Sequence, residues 1–345
     1  MKRRTFLGAG LATGTLGLLT TPTALAQNKQ IVIMNWGGDW NDRTVKYVEA
    51  PLLEANGWKI VRELTETAPR LTKILTEKRL PRGTIDLAHI GDFEAYSLYV
   101  NDAIDTIDYA RIPNAQSLMP DLRQSYFMPW LCSPWEIVFK PEHVRDPVTS
   151  YTDLWNPKYA GKVGVMDANY ANAMQMASII GAGKINDFGE AKKVLTEWKK
   201  AVNPKVYPSH QQAQAAMQTD EIWMVANFRA RGLQWANDGM KCDVAYPKEG
   251  GIYTVFGVVM PKRVVNRDGA YIYLNALLDP TALTGLCAAN FYSPTVTSVT
   301  IPGEVGGKIA ITDRQKAAMH YPDQKFWSDN RMAWIEWWKK EFLGS

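Results

Sequence analysis

Residues 31–41 read Ile31-Val32-Ile33-Met34-Asn35-Trp36-Gly37-Gly38-Asp39-Trp40-Asn41. A short apolar run bounded by an asparagine and a glycine pair is the pattern of a buried strand ending in a turn. Asp39 or Asn41 can cap the helix that follows, which carries Val45, Val48 and Leu52 towards one face. Trp58-Lys59-Ile60-Val61 reads as a second strand. A helix through Leu71, Ile74 and Leu75 comes next, then a third strand, Ile85-Asp86-Leu87-Ala88-His89-Ile90, stopped at Gly91. Strand, helix, strand, helix, strand in this order predicts an α/β layer with a mostly parallel sheet and right-handed crossovers.

The pattern then restarts. Tyr151-Thr152-Asp153-Leu154-Trp155 is a turn-and-helix element, and Lys162-Val163-Gly164-Val165-Met166 is a strand ending at Asp167. Helices follow over 171–180, 188–202 and 211–218, the second with Val194, Leu195 and Trp198 on its apolar side. Ile222-Trp223-Met224-Val225-Ala226 is the next strand. Two α/β units in tandem result, with a crossing expected near Val138-Phe139-Lys140-Pro141 and a return near 253–258. In the last helix, 330–342, Ile335, Trp338 and Phe342 recur at helical spacing as a packing stripe.

The amino terminus carries an address rather than fold information. Lys2-Arg3-Arg4-Thr5-Phe6-Leu7 is followed by a Gly/Ala/Leu/Thr-rich run too short and too weakly apolar to span a bilayer, then by Ala24-Leu25-Ala26. Residues 1–26 are expected to be a cleaved signal peptide of the twin-arginine type, leaving a mature chain in the periplasm from Gln27. The formal charge of +4 belongs mostly to that segment, so the rest is about neutral and lacks the basic footprint of a nucleic-acid binder. The three cysteines, Cys132, Cys242 and Cys287, have no metal or redox spacing. One pair could bridge in an oxidising compartment, while Cys287 in its apolar stretch reads as a small buried hydrophobe. The four histidines are scattered, no HExxH or Gly-x-Ser-x-Gly occurs, and Gly181-Ala182-Gly183-Lys184 lacks the rest of a phosphate loop. No metal, cofactor or catalytic residue is expected.

In open α/β sheets ligands sit beyond the carboxyl ends of the strands. Here those ends are Trp36, Gly37, Asp39 and Trp40; Gly91 with Asp92 and Phe93; Asp167, Asn169 and Asn172; and Asn227 with Arg229. Tyr253 and Phe256 lie on the return crossing. Aromatic rings, carboxylates, amides and a guanidinium suit a small polar or zwitterionic organic molecule.

Four ordered segments carry a resemblance. Asn35-Trp36-Gly37-Gly38, the stretch from Tyr151 to Val163 (YTDLWNPKYAGKV), Tyr246-Pro247-Lys248-Glu249-Gly250-Gly251, and 271–280 followed by Tyr292-Ser293-Pro294-Thr295 resemble the extracellular solute-binding proteins of family 1, in the branch that holds spermidine/putrescine-binding proteins. The resemblance covers nearly all of the mature chain. It implies a periplasmic-binding-protein fold of type II: two α/β lobes, a two-strand hinge and a ligand cleft between them, closing by hinge motion. Lobe 1 is expected over 28–138 and 257–300, and lobe 2 over 139–256 and 301–345. It also implies a monomeric receptor, not an enzyme, that delivers solute to the permease and ATPase subunits of an ABC importer.

The solute follows less directly. Polyamine binders of this branch use aromatic walls and acids that grip ammonium groups. Trp36 matches their first wall and Phe93 stands where they carry a tyrosine, but Thr254 and Phe256 replace a tryptophan and an aspartate, and Asn227 lies where another tryptophan is lost. A buried ammonium without a carboxylate is costly. The reading therefore favours a smaller amine or an amino-acid-like zwitterion over a long polyamine. An organic carboxylate held by Arg229 or Arg231 is the alternative. The rivals are an enzyme using Asp39 and Asp167 as a carboxylate pair, and an iron carrier, for which the adjacent tyrosine pair is missing.

Overall fold

The computed structural model describes residues 29–344, so the expected signal peptide and its cleavage site lie outside the described residues. Eleven strands form one sheet: β1 (Gln30–Asn35), β2 (Lys59–Leu64), β3 (Leu87–Gly91), β4 (Ile104–Asp105), β5 (Met128–Phe139), β6 (Val163–Met166), β7 (Lys205–Tyr207), β8 (Met224–Phe228), β9 (Asp243–Ala245), β10 (Ile252–Pro261) and β11 (Ser293–Pro294). The main path runs β2-β1-β3-β10-β5-β8-β6-β7. β1 pairs in parallel with β2 and β3, and β6 in parallel with β7 and β8. Each expected α/β unit thus supplies three parallel strands. Between them stand β5 and β10, antiparallel to each other and to the strands they flank. They are the two strands that link the lobes.

The core divides accordingly. Met128, Trp130 and Leu131 of β5 pack with Ile31, Ile33 and Leu87, whereas Trp135, Ile137 and Val138 of the same strand pack with Val163, Met166 and Val225. The chain changes cores inside one continuously buried apolar strand, and Lys140-Pro141 is where that strand has ended. Downstream of 300, Ile301 and Ile309 join the first core, while Trp327, Trp334, Trp338 and Phe342 join the second. The C-terminal helix, Gln324–Trp337 with its extension Trp338–Leu343, therefore starts earlier than the sequence pattern proposed, and Trp334 rather than Ile335 is buried in its stripe.

Local chemistry explains two departures. The segment Val45–Leu53 winds as a π-helix containing Pro51. Its wider turn and the lost donor bring Leu53 rather than Leu52 into the core beside Val48. The three cysteines are free thiols, Cys132 and Cys287 buried and Cys242 half-buried, so none bridges. Burial pushes the Cys132 thiol up to about 11, which leaves it protonated and inert at neutral pH.

Candidate functional site

A cavity of about 560 Å³ opens between the two lobes, within the range of small-molecule sites. The carboxyl ends of all six parallel strands feed it. Trp36, Gly37, Gly38 and Trp40 follow β1, Glu66 and Thr67 follow β2, and Gly91 to Glu94 end β3 and open the next helix. From the second lobe, Ala168 to Asn172 follow β6, Ser209 to Gln212 follow β7, and Phe228 and Arg231 come from the end of β8 and beyond it. Tyr253, Thr254 and Phe256 of β10, with Tyr292 and Pro322, complete the lining.

Of the residues the sequence nominated, Trp36, Gly37, Trp40, Gly91, Phe93, Asn169, Asn172, Tyr253 and Phe256 line this cavity. Four do not. Arg229 is buried behind the hinge strands, where its Nε and Nη2 grip Glu136 at 3.1 and 2.7 Å and Nη1 donates to the Ala310 carbonyl at 2.9 Å. Asn227 is fully buried and folds its Oδ1 onto the Phe228 amide at 2.8 Å, as Asn35 does to the Trp36 amide at the end of β1. Asp167 accepts from Trp338 Nε1 at 2.8 Å. Asp39 accepts from Arg43 Nη1 at 2.7 Å and from Arg231 Nη1 at 2.8 Å. Each carboxylate is thus engaged by a partner, and neither lines the main cavity.

Trp36, Trp40, Phe228, Phe256 and Tyr292 form one contiguous aromatic wall. Trp36 meets Trp40 and Phe256 edge-on at 5.2 and 6.0 Å between centroids, and Phe256 meets Phe228 and Tyr292 at 5.1 and 5.5 Å. The Arg70 guanidinium lies 4.5 Å from the Trp36 ring centroid, and Trp36 Nε1 donates to Thr67 Oγ1 at 3.2 Å. The indole is thereby held in one orientation. Arg70 itself is buried and is spent on the backbone carbonyls of His89 and Thr65.

Of the cavity's acids, Asp92 lies in the strand end Gly91-Asp92-Phe93 that the sequence marks, whereas Glu66 and Glu94 were not found from it. Asp92 and Glu94 occupy the first turn of the helix Asp92–Val100, and Glu66 precedes the helix Thr67–Glu77. An acid in a first helical turn reads as ordinary capping chemistry, and that hid the position of Glu94 on the cleft. Gly91 makes room for Glu94: a Cβ there would lie 2.5 Å from Glu94 Oε2. Burial, with Glu94 close by, pushes the Asp92 carboxyl up to about 7, against hydrogen bonds from the Phe93 amide and Gln324. Burial pushes Glu94 to about 7 as well, against its own amide, Arg331 and Arg70. Neither forms an ion pair within 4.0 Å among the described residues. Burial also pulls His210 down to about 3, so its imidazole is neutral.

A candidate metal cluster lies elsewhere. Glu142, His143 and Asp220 bring their ligand atoms within 4.8 Å of one another. Lys140 Nζ already bridges Glu142 and Asp220, which supplies the positive charge an ion would bring.

The sequence profile of the bacterial extracellular solute-binding proteins matches residues 91–330. The spermidine/putrescine-binding periplasmic protein of Escherichia coli K12 is 27% identical over 290 residues, 78% of each chain. Among solved structures, a periplasmic binding protein of Agrobacterium tumefaciens R10 in complex with agropinic acid matches with a TM-score of 0.77 at 18% identity, over 91% of this chain and 98% of that one. The spermidine/putrescine ABC transporter substrate-binding protein of Streptococcus pneumoniae matches with a TM-score of 0.70 at 18% identity, over 90% and 98%.

Proposed function

We propose that this chain, which belongs to the bacterial extracellular solute-binding protein family, captures a small amine-bearing organic solute in its inter-lobe cleft. As the substrate-binding component of an ABC importer it hands the solute to a membrane permease coupled to an ATPase. It does so as a monomer, without chemical turnover, after export and removal of residues 1–26. The observation that carries the solute class is the pairing of an aromatic wall with Asp92 and Glu94, two cavity carboxylates with no cationic partner within ion-pair distance. An ammonium placed there gains charge-assisted hydrogen bonds and ring contacts together. The relative from Escherichia coli, which binds spermidine and putrescine, supports the same class.

The tryptophan and the aspartate that the resemblance puts at Thr254 and Phe256 are absent from the return strand. The carboxylates of the cleft instead cluster on the first lobe, which suits one ammonium better than two held far apart. The ligand-binding set proposed here is therefore Trp36, Trp40, Asp92, Phe93, Glu94 and Phe256, with Asn169 and Asn172 facing them. A thermal-shift series on the mature protein with monoamines, diamines, amino acids and dicarboxylates tests this reading. A ligand at about 100 times its dissociation constant adds about 2.7 kcal/mol, several degrees for a chain of this size. Stabilisation by an amine or zwitterion is expected. Stabilisation by dicarboxylates alone would sink the amine assignment.

A further inference from the structure

Gly38, with φ +63°, turns the chain after β1 so that Asp39 begins the next helix facing the second lobe. Arg43, one turn on, braces the Asp39 carboxylate at 2.7 Å. From the other lobe Arg231 Nη1 reaches the same oxygen at 2.8 Å and Gln234 Oε1 at 3.0 Å. Arg231 lines both the main cavity and a second pocket of about 200 Å³, which Asp39, Gln234 and Asp238 also line. The ion pair therefore stands between two chambers and ties one lobe to the other.

The charges around the main cavity give this contact its meaning. Its lining carries three carboxylates, Glu66, Asp92 and Glu94, and a single arginine, Arg231. Arg70 and Arg331 lie nearby but off the lining, the former spent on backbone carbonyls. His210 is neutral. With Asp39 in place the one cation of the lining is matched, and the three acids are not. Without that carboxylate, Arg231 would become an unpaired guanidinium at the cavity wall, the usual partner of a ligand carboxylate.

Resting on the amine reading above, we propose that Asp39 sets the charge selectivity of the cleft by acting through Arg231. The pair closes one end of the chamber and takes up the guanidinium, so that the cleft accepts a solute that brings an ammonium group and refuses one charged by carboxylates alone. Asp39 is in this sense a positioning residue, since it need not touch the solute.

The test uses three four-carbon probes that exchange ammonium for carboxylate end groups one at a time: 1,4-diaminobutane, 4-aminobutanoate and succinate. Binding to the mature wild type, Asp39→Asn, and the double variant Asp39→Asn/Arg231→Gln is read by calorimetry and thermal shift, each protein against its own ligand-free state. Succinate is expected to leave the wild type unmoved, to bind Asp39→Asn about tenfold or more tightly than the wild type, and to lose that gain in the double variant. A purely structural role for Asp39 would not produce a carboxylate-specific gain. Equal succinate binding by wild type and Asp39→Asn, or a gain that survives loss of Arg231, overturns the proposal; should Asp39→Asn not fold, Asp39→Ser takes its place with the same outcomes. The two amine probes on the wild type test the amine reading separately. Their failure would remove that reading while the succinate contrast still decides the role of Asp39. Small-angle scattering of the ligand-free proteins completes the test: a larger radius of gyration for Asp39→Asn is expected, and an unchanged one would show that the pair does not hold the lobes together.

Discussion

Two carboxylate sites in this molecule, one buried and one half-buried at the cleft, are treated in opposite ways. Behind the hinge, Glu136 is sealed from solvent, and burial raises its pKa, but Arg229 answers with an attractive charge and three hydrogen bonds from two nitrogens. At the cleft, burial raises Asp92 and Glu94 too, yet Arg331 and Arg70, whose charges favour the Glu94 carboxylate, stay beyond ion-pair distance of it, and Asp92 is held only by hydrogen bonds from amides. The first arrangement satisfies itself on folding. The second leaves a debt of solvation that a cationic solute can settle. Unpaired charge at one place, and careful pairing of the same chemistry a short way off, is what distinguishes a binding surface from a structural strut.

The largest effect should come from breaking the strut. Glu136→Ala leaves the Arg229 guanidinium buried without its carboxylate, which costs about 3–5 kcal/mol. Urea unfolding of the ligand-free protein measures it. A loss under about 1 kcal/mol would mean that water reaches the pair and that the contrast with the cleft is one of degree only.

The cleft acids should give a smaller effect of opposite sign. Glu94 is raised from 4.5 to about 7, so between these values the unfolded chain has released a proton that the folded chain retains. Stability attributable to Glu94 is then full below about pH 4.5, falls as pH rises towards 7, and stays low above it. His89 and His210, both pulled down to about 3 by burial, act in the reverse direction as pH falls below 6.5, so the wild-type profile alone is ambiguous. The difference between Glu94→Gln and wild type isolates the carboxylate. The variant should match the wild type near pH 4 and exceed it by about 1–3 kcal/mol at pH 8, after allowance for partial solvation. It should also bind amines more weakly. A variant that is less stable than wild type at pH 8 would place Glu94 with Glu136 among the structural acids.

How much of this was legible in the sequence follows from the same physics. The strands and their ends were readable because a buried strand needs an apolar run and its exit needs turn residues, as at Ile31 to Gly38 and at Leu87 to Gly91. The rings Trp36, Phe93 and Phe256 could be placed for the same reason. The crossing was harder. Residues 128–139 are apolar apart from Ser133 and Glu136, and almost wholly buried in both lobes, so little in the composition marks the change of core. Charged residues were hardest, because their role depends on partners distant in the chain. Arg229 and Arg231 sit two residues apart, and only the fold reveals that one faces Glu136 and the other Asp39. Glu94 was concealed by being a good helix-start residue in its own right, two positions beyond Asp92 in the marked strand end.

The smallest effect on stability is expected at Asp39, and it sharpens the comparison most closely because the two arginines share a helix. Arg229 is 8% and Glu136 1% exposed at the side chain, against 12% for Arg231 and 36% for Asp39. A carboxylate that open to solvent retains much of its hydration when its partner is lost, so Asp39→Asn should cost only about 0–1 kcal/mol. Part of that cost should vanish in high salt, where the Debye length falls to about 3 Å at 1 M, whereas the Glu136 effect should persist. If Asp39→Asn instead cost as much as Glu136→Ala and ignored salt, the inter-lobe pair would be a second strut, built for rigidity, and closure of the cleft would no longer be free to depend on what enters it.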